Sequence, residues 1–336
     1  MNIEQLQSTI KAITASGKGI LAADESTGTI TKRFKSINLE STEESRRAYR
    51  DLLFTTVDLE KYVSGIILFE ETLKQQALDG TPFPKLLADR GIVPGIKVDK
   101  GLIANESAPE EKTTQGLDGL PERLAEYKAL GARFAKWRVV YNVTDTFPSR
   151  IAIHINAEQL ARYAAICQSQ GIVPIVEPEV LMDGDHSIEQ CAVATEHVLD
   201  HVFDSLAKHH VISEYIILKP SMVIAGKDHN KQASIEQVAE ETIKILKRKV
   251  PAAVPTINFL SGGQSNEAAT QHLNTMNQLS NTPWNLSFSY GRALQSSALK
   301  TWGGQKENVK AAQQQLLKRA QLNSLATLGK YEENME

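Results

Sequence analysis

The chain of 336 residues is 41% hydrophobic and 23% charged, with a formal charge of -3, a balance that excludes the basic footprint of a nucleic-acid or membrane-surface binder. Its two cysteines, Cys167 and Cys191, fall in helix-like stretches and read as reduced core residues of a cytosolic protein rather than a disulfide framework. The polar, amphipathic start MNIEQLQSTIKAIT lacks the apolar region of a secretion signal, and no apolar run reaches membrane-spanning length.

Along the chain, strand-like and helix-like segments alternate. Gly19–Ala23 is a first short apolar strand, ending at Asp24 and the turn-rich ESTGT. Ser41-x-x-Glu44 has the spacing of a capping box opening a helix that carries Tyr49, Leu52 and Leu53. Strands are expected at Gly65–Phe69 and Ile92–Val98, the latter carrying Lys97. A helix over Leu120–Leu130 ends at Gly131, and a fourth strand, Ala132–Val140, carries Lys136 and Arg138. Asn156 is read as the cap of a long helix ending at Gly171; the fifth strand, Ile172–Val180, carries Glu177 and Glu179.

A helix from Ser187 to about His210 leads to the sixth strand. There Tyr215-Ile216-Ile217-Leu218 delivers Lys219 to the point where Pro220 stops the ladder. Ser234-x-x-Gln237 opens another helix. Val254–Leu260 is a seventh strand running into Ser261-Gly262-Gly263, a helix starts at Asn266, and Asn285–Ser289 is an eighth strand before Tyr290-Gly291-Arg292. Eight strands alternating with helices predict a closed (β/α)₈ TIM barrel, a single domain over 1–336. Residues 1–17 form an N-terminal helical segment, further helices run from Arg292 to Leu328, and 332–336 is a short tail. ESTGT does not supply the GxGxxG that a Rossmann fold requires after its first strand.

Alternate strand residues share a face, so Lys136 pairs with Arg138 and Glu177 with Glu179. Inward side chains at the C-terminal ends of barrel strands enter the active site. The expected set is Asp24, Lys97, Lys136, Arg138, Glu177, Glu179 and Lys219, too many ionisable groups for a structural ion-pair network that burial makes costly. A lysine near a second lysine and away from bulk water has its charged form disfavoured, and only the neutral amine attacks a carbonyl. Lys219 beside Lys136 therefore suits Schiff-base formation. Glu177 or Glu179 can supply the proton that expels water from the carbinolamine.

Ser261-Gly262-Gly263 and Gly291-Arg292 follow the seventh and eighth strands, where barrels bind phosphate. Lys97, with Ser26 and Thr29 from the first loop, forms a second candidate phosphate site across the mouth. No metal is expected. His197 and His201 stand at i and i+4, but HVLDH lacks the glutamate of HExxH and lies mid-helix, so they read as surface or packing residues.

The motifs LAADESTG, GIKVDKG, FAKWR, VPIVEPEV, ILKPSMV, FLSGGQS and SFSYGRALQ together closely resemble class I fructose-bisphosphate aldolase. TPFPKLL, TTQGLDGLPER, ALKTWGG and KENVKAAQ add to the likeness, which runs from about residue 10 to Tyr331. The resemblance implies a (β/α)₈ barrel that cleaves fructose 1,6-bisphosphate reversibly without metal or other cofactor, usually as a homotetramer, in the cytoplasm. It implies Lys219 as the Schiff-base lysine, Glu177 as the acid/base that dehydrates the carbinolamine, and Glu179 as an organiser of Lys219. Asp24 would take the 4-hydroxyl proton, and Lys136 would position that hydroxyl with Arg138 beside it. Ser261, Gly262, Gly263, Ser289, Gly291 and Arg292 would hold the ketose-side phosphate, with Arg33 and Lys97 contacting the bisphosphate as well. One departure stands out. Family members mainly from animals carry a mobile tail after GKY whose final tyrosine assists proton transfer at C3 of the enamine. Here Gly329-Lys330-Tyr331 is followed by EENME, so Tyr331 matches the GKY tyrosine and does not inherit that role.

Overall fold

Each apolar run that ends in a turn signal forms a parallel strand. The eight are β1 (Gly19–Ala23), β2 (Val63–Leu68), β3 (Val93–Lys97), β6 (Phe134–Tyr141), β7 (Val173–Val180), β8 (Ile217–Leu218), β9 (Thr256–Phe259) and β10 (Asn285–Tyr290). In this computed structural model, which describes residues 2–106, 108–279 and 281–336, they close into a barrel, with β1 pairing both β2 and β10. Between β3 and β6 the chain makes a hairpin, β4 (Leu102–Asn105) and β5 (Ala108–Thr114), for which the polar sequence KGLIANESAPEEKTT gave no strand signal.

The helices are α1 (Ile3–Ile13), α2 (Thr27–Lys35), α3 (Glu43–Phe54), α4 (Glu70–Leu73), α5 (Phe83–Asp89), α6 (Leu120–Ala129), α7 (Arg150–Ser169), α8 (Ile188–Lys208), α9 (Ile235–Lys249), α10 (Asn266–Leu279), α11 (Arg292–Trp302) and α12 (Val309–Thr327). The expected N-terminal helix is therefore present. Its buried Leu6, Ile10 and Ile13 close the N-terminal end of the barrel against Ile20, Ile67, Val93, Phe134 and Val173. At about 1.5–3 kcal/mol for each fully buried aliphatic side chain, this plug holds that end dry. Phe134 fills the lower interior because Gly95 beside it has no side chain; a Cβ there would stand 2.3 Å from the ring. The interior is thus apolar below, and the ionisable residues occupy the layers above.

Three local expectations change. The cap of α3 is Thr42, whose hydroxyl accepts from Ser45 N at 3.1 Å while Ser45 Oγ accepts from Thr42 N at 2.9 Å; a short serine closes the box one residue later than Ser41 and Glu44 would. Helix α7 is capped by Ser149, not Asn156. Asn156 is buried mid-helix because its amide is needed elsewhere, donating to Lys112 O at 3.1 Å and so fastening the hairpin to the helix. The strand before Lys219 is shorter than its apolar run: Ser213–Tyr215 is a 3-10 turn and the strand itself is Ile217 and Leu218. Pairing still reaches Lys219, whose N–H donates to Val176 O at 2.8 Å, and Pro220 then ends the ladder. The capping boxes at Ser187 and Ser234 form, each with a glutamine three residues on, and Gly131 follows α6 with φ +108°. Cys167 and Cys191 are buried free thiols in α7 and α8.

Candidate active site

The strand register brings the site together. Lys97 of β3 lies beside Lys136 of β6, and Arg138 lies beside Glu177 of β7. Residues two apart point the same way, so all these side chains rise into the C-terminal mouth of the barrel, as expected. The mouth is a cleft of about 620 Å³, within the usual size of a small-molecule site. Lys219, Glu177, Glu179, Asp24, Lys136, Arg138, Lys97, Arg33, Ser26, Thr29, Ser261, Gly262, Ser289, Gly291 and Arg292 all line it. Gly263 stands just behind: a Cβ on it would lie 3.3 Å from the Arg292 guanidinium, so its bare backbone (φ +99°) lets that side chain lie close.

At the floor, two lysines and two carboxylates form a chain. Lys219 Nζ is 3.3 Å from Glu177 Oε1, Lys136 Nζ is 3.1 Å from Glu177 Oε2, and Lys136 Nζ is 3.2 Å from Asp24 Oδ2. All four side chains are almost wholly buried. Burial pushes the Asp24 carboxyl up, but Lys136, Lys219 and Lys97 outweigh it and hold the group down at about 2. For Lys136 burial acts against the charge, and Asp24 and Glu177 override it, so its ammonium is held well above the ordinary lysine range. Arg138 ion-pairs with Glu179, which overcomes burial and fixes that carboxylate one residue pair above Glu177.

The upper walls carry groups suited to an anion. Ser289 Oγ is buried and has no hydrogen-bond partner among the described residues, and Gly262 turns with φ +55°. An orphaned hydroxyl beside a glycine turn and an exposed arginine matches a tetrahedral oxyanion. Lys97 Nζ is held by Asp99, at 2.6 Å from Oδ1 and 2.9 Å from the backbone oxygen, and the Ser26–Thr29 hydroxyl pair lines the same cleft.

Several contributors escaped the sequence reading. Glu25 bridges Arg33 and Arg50, and Gln295 Nε2 donates to Ala22 O at 2.6 Å and to Glu25 Oε1 at 3.0 Å. Asp99, which holds Lys97, was also missed, although its place in GIKVDK was a signal at two-residue spacing. Among the described residues no three His, Cys, Asp or Glu side chains are arranged to hold a metal ion, and His197 and His201 lie exposed on α8.

The sequence from residue 5 to 336 matches the model of a family described as fructose-bisphosphate aldolase class-I. A probable fructose-bisphosphate aldolase class 1 of Xanthomonas campestris pv. campestris is 57% identical over 332 residues, 98% of this chain and 99% of its own length. The cytosolic fructose-bisphosphate aldolase 6 of Arabidopsis thaliana is 58% identical over 94% of this chain and 88% of its own. A solved structure of fructose-bisphosphate aldolase from Plasmodium falciparum, in complex with TRAP and an inhibitor, superposes with a TM-score of 0.96 at 54% identity, covering 98% of this chain and 95% of that one.

Proposed function

The chain belongs to the class I fructose-bisphosphate aldolase family and is a carbon–carbon lyase of glycolysis, and we propose that Lys219 carries its reaction as the Schiff-base lysine. The observation that carries this reading is the buried Asp24–Lys136–Glu177–Lys219 chain. One proton passing from the Lys219 ammonium to Glu177, 3.3 Å away, creates the neutral nucleophile and the general acid together.

Lys219 Nζ adds to C2 of the open-chain ketose. Glu177 protonates the new hydroxyl, and water leaves to give the iminium. Asp24, an ionised carboxylate, takes the proton of the 4-hydroxyl. The C3–C4 bond then breaks, its electron pair moving through C2–C3 to the imine nitrogen. The C4 oxygen becomes the aldehyde of glyceraldehyde 3-phosphate, which departs. Lys136, kept cationic by two carboxylates, stabilises the charge developing on that oxygen. The remaining enamine is protonated at C3 and hydrolysed, releasing dihydroxyacetone phosphate and Lys219. Arg138 orients Glu179 at the edge of this group, and Glu179 organises Lys219.

Ser261, Gly262, Gly263, Ser289, Gly291 and Arg292 hold the ketose-side phosphate, with Arg33 beside them. Ser26, Thr29 and Lys97 hold the second phosphate across the mouth. The working form is proposed to be a cytoplasmic homotetramer acting as one barrel domain, supported by the family's usual state and by the cytosolic name of the Arabidopsis relative. Borohydride added with dihydroxyacetone phosphate should leave a covalent adduct on Lys219, absent in Lys219→Ala, while EDTA leaves cleavage intact. Labelling of another lysine, or loss of activity to EDTA, sinks the mechanism.

A further inference from the structure

Beneath Arg33 lies a carboxylate shared between two arginines. Glu25 Oε2 accepts from Arg50 Nη2 at 2.7 Å, and Oε1 accepts from Arg33 Nη1. The two arginines are not equivalent. Arg33, on α2, lines the cleft with its side chain 21% exposed, and its Nη2 lies 3.7 Å from where a Cβ would stand on Gly291 in the phosphate loop. Arg50, on α3, is 3% exposed and does not reach the cleft; Glu25 is its sole carboxylate partner among the described residues. Its guanidinium sits 5.8 Å over the Tyr49 ring. The Tyr49 hydroxyl donates to Gln295 Oε1 at 3.1 Å, and the Gln295 amide donates to Glu25 and to the Ala22 carbonyl. The carboxylate therefore cannot rotate without breaking contacts to three elements.

The charges decide what this arrangement does. Arg33 and Glu25 alone cancel, and a phosphate arriving at Arg33 would meet a neutral pair. Arg50 adds one buried positive charge away from the cleft, so the surplus is expressed at Arg33, the one cation of the triad that lines it. We propose that Arg50, a residue no substrate can touch, is a positioning residue for the ketose-side phosphate: it neutralises Glu25, leaving the charge of Arg33 free for phosphate, while Gln295 locks the carboxylate between them. This rests on the proposed phosphate role of the Ser261–Gly263 and Gly291–Arg292 loops.

The test uses inorganic phosphate as a competitive inhibitor, with KM for fructose 1,6-bisphosphate and fructose 1-phosphate, since both carry the same phosphate on C1. In Arg50→Met, Glu25 claims Arg33 outright, and all three affinities should fall in parallel by about tenfold, the effect of one nearby charge in a partly solvated site, with kcat nearly unchanged. Adding Glu25→Gln to that variant restores a net charge of one at Arg33, and affinity should return to within about threefold of the parent. A structural role alone makes the double variant as poor as the single, because it removes further native contacts. If Arg50→Met does not fold, Arg50→Lys and the double variant carry the test. Both keep the net charge, so a tenfold loss of phosphate affinity in either overturns the proposal. So does an unchanged affinity in a folded Arg50→Met. Arg292→Met separates the two readings: it weakens phosphate binding if the loops hold phosphate and leaves it unchanged if they do not, whatever Arg50 does.

Discussion

Glu177→Gln isolates one proton from an otherwise unaltered site. The glutamine has the shape of the glutamate, so its two polar atoms can occupy places 3.3 Å from Lys219 Nζ and 3.1 Å from Lys136 Nζ. An amide oxygen facing Lys136 keeps one favourable contact, and Asp24 at 3.2 Å continues to balance that ammonium. What the amide cannot do is hold a proton to give away. A positioned general acid contributes roughly 10²–10⁴-fold, and each factor of ten is about 1.4 kcal/mol of barrier, so dehydration of the carbinolamine should slow by that factor at a cost of about 3–5 kcal/mol. Substrate affinity, which the proposal assigns to loops on the upper walls, should change no more than about threefold, within one contact's effect. Rapid-quench kinetics make the separation visible: acid quench captures total bound ketose, and borohydride captures the iminium alone. The variant should bind substrate at the parent rate and accumulate iminium slowly. An unchanged dehydration step would refute the assignment and move the acid to Glu179, the next inward carboxylate on β7.

Other perturbations read the same electrostatics through stability. Lys136→Met leaves Asp24 and Glu177 facing each other without their shared cation, a loss of about 3–5 kcal/mol that urea unfolding at pH 7 should record along with near-complete loss of cleavage. The Asp24 carboxyl is held at about 2 against an ordinary 3.8, so its stabilising contribution, about 2 kcal/mol, is fully present above pH 4 and fades as pH falls toward 2. Urea midpoints of the parent should therefore drop more steeply over that interval than those of Asp24→Asn; parallel curves would contradict the assigned shift. In the C-terminal segment, Arg319 is 4% exposed, pairs with Glu336 at 2.6 Å, and donates to Asn266 O at 2.9 Å and to Thr270 Oγ1 at 2.6 Å. Glu336→Gln should strip the counter-ion from that buried cation, costing about 1–3 kcal/mol, and hydrogen exchange at the first turn of α10 should quicken.

What the sequence made legible was whatever obeys a short period. Lys136 with Arg138 and Glu177 with Glu179 were readable because β-strands alternate faces, and Lys219 because Pro220 marks where its strand must stop. The Arg50–Glu25–Gln295 brace was not. Glu25 follows Asp24 directly and so turns away from the floor cluster, Arg50 resembles any surface charge in the polar run EESRRAYRD, and Gln295 meets them only through barrel closure between β1 and β10. Contacts between residues 25 to 270 positions apart leave no periodic trace. Local misreadings have the same origin: Asn156 has a cap's chemistry in a helix interior, and only the hairpin packed on it explains why.

The division of the site into a floor and walls follows from what burial permits. Asp24 and Glu177 are matched by Lys136 and Lys219, two charges of each sign in a space nearly closed to water, and an imbalance there would be costly. A bisphosphate brings several negative charges that this balanced floor cannot absorb. They have to be met by cations that keep part of their hydration when the cleft is empty, and Arg33, Lys97 and Arg292 are all more exposed than the floor lysines Lys136 and Lys219. The floor can then be tuned for moving single protons over about 3 Å while the walls deal with net charge. Tying Arg33 to the core through Glu25 and Arg50 joins the two: the carbonyl held by Gln295 belongs to Ala22, two residues before Asp24, so the strand that leads to Asp24 is fastened to α11, the helix that starts at Arg292.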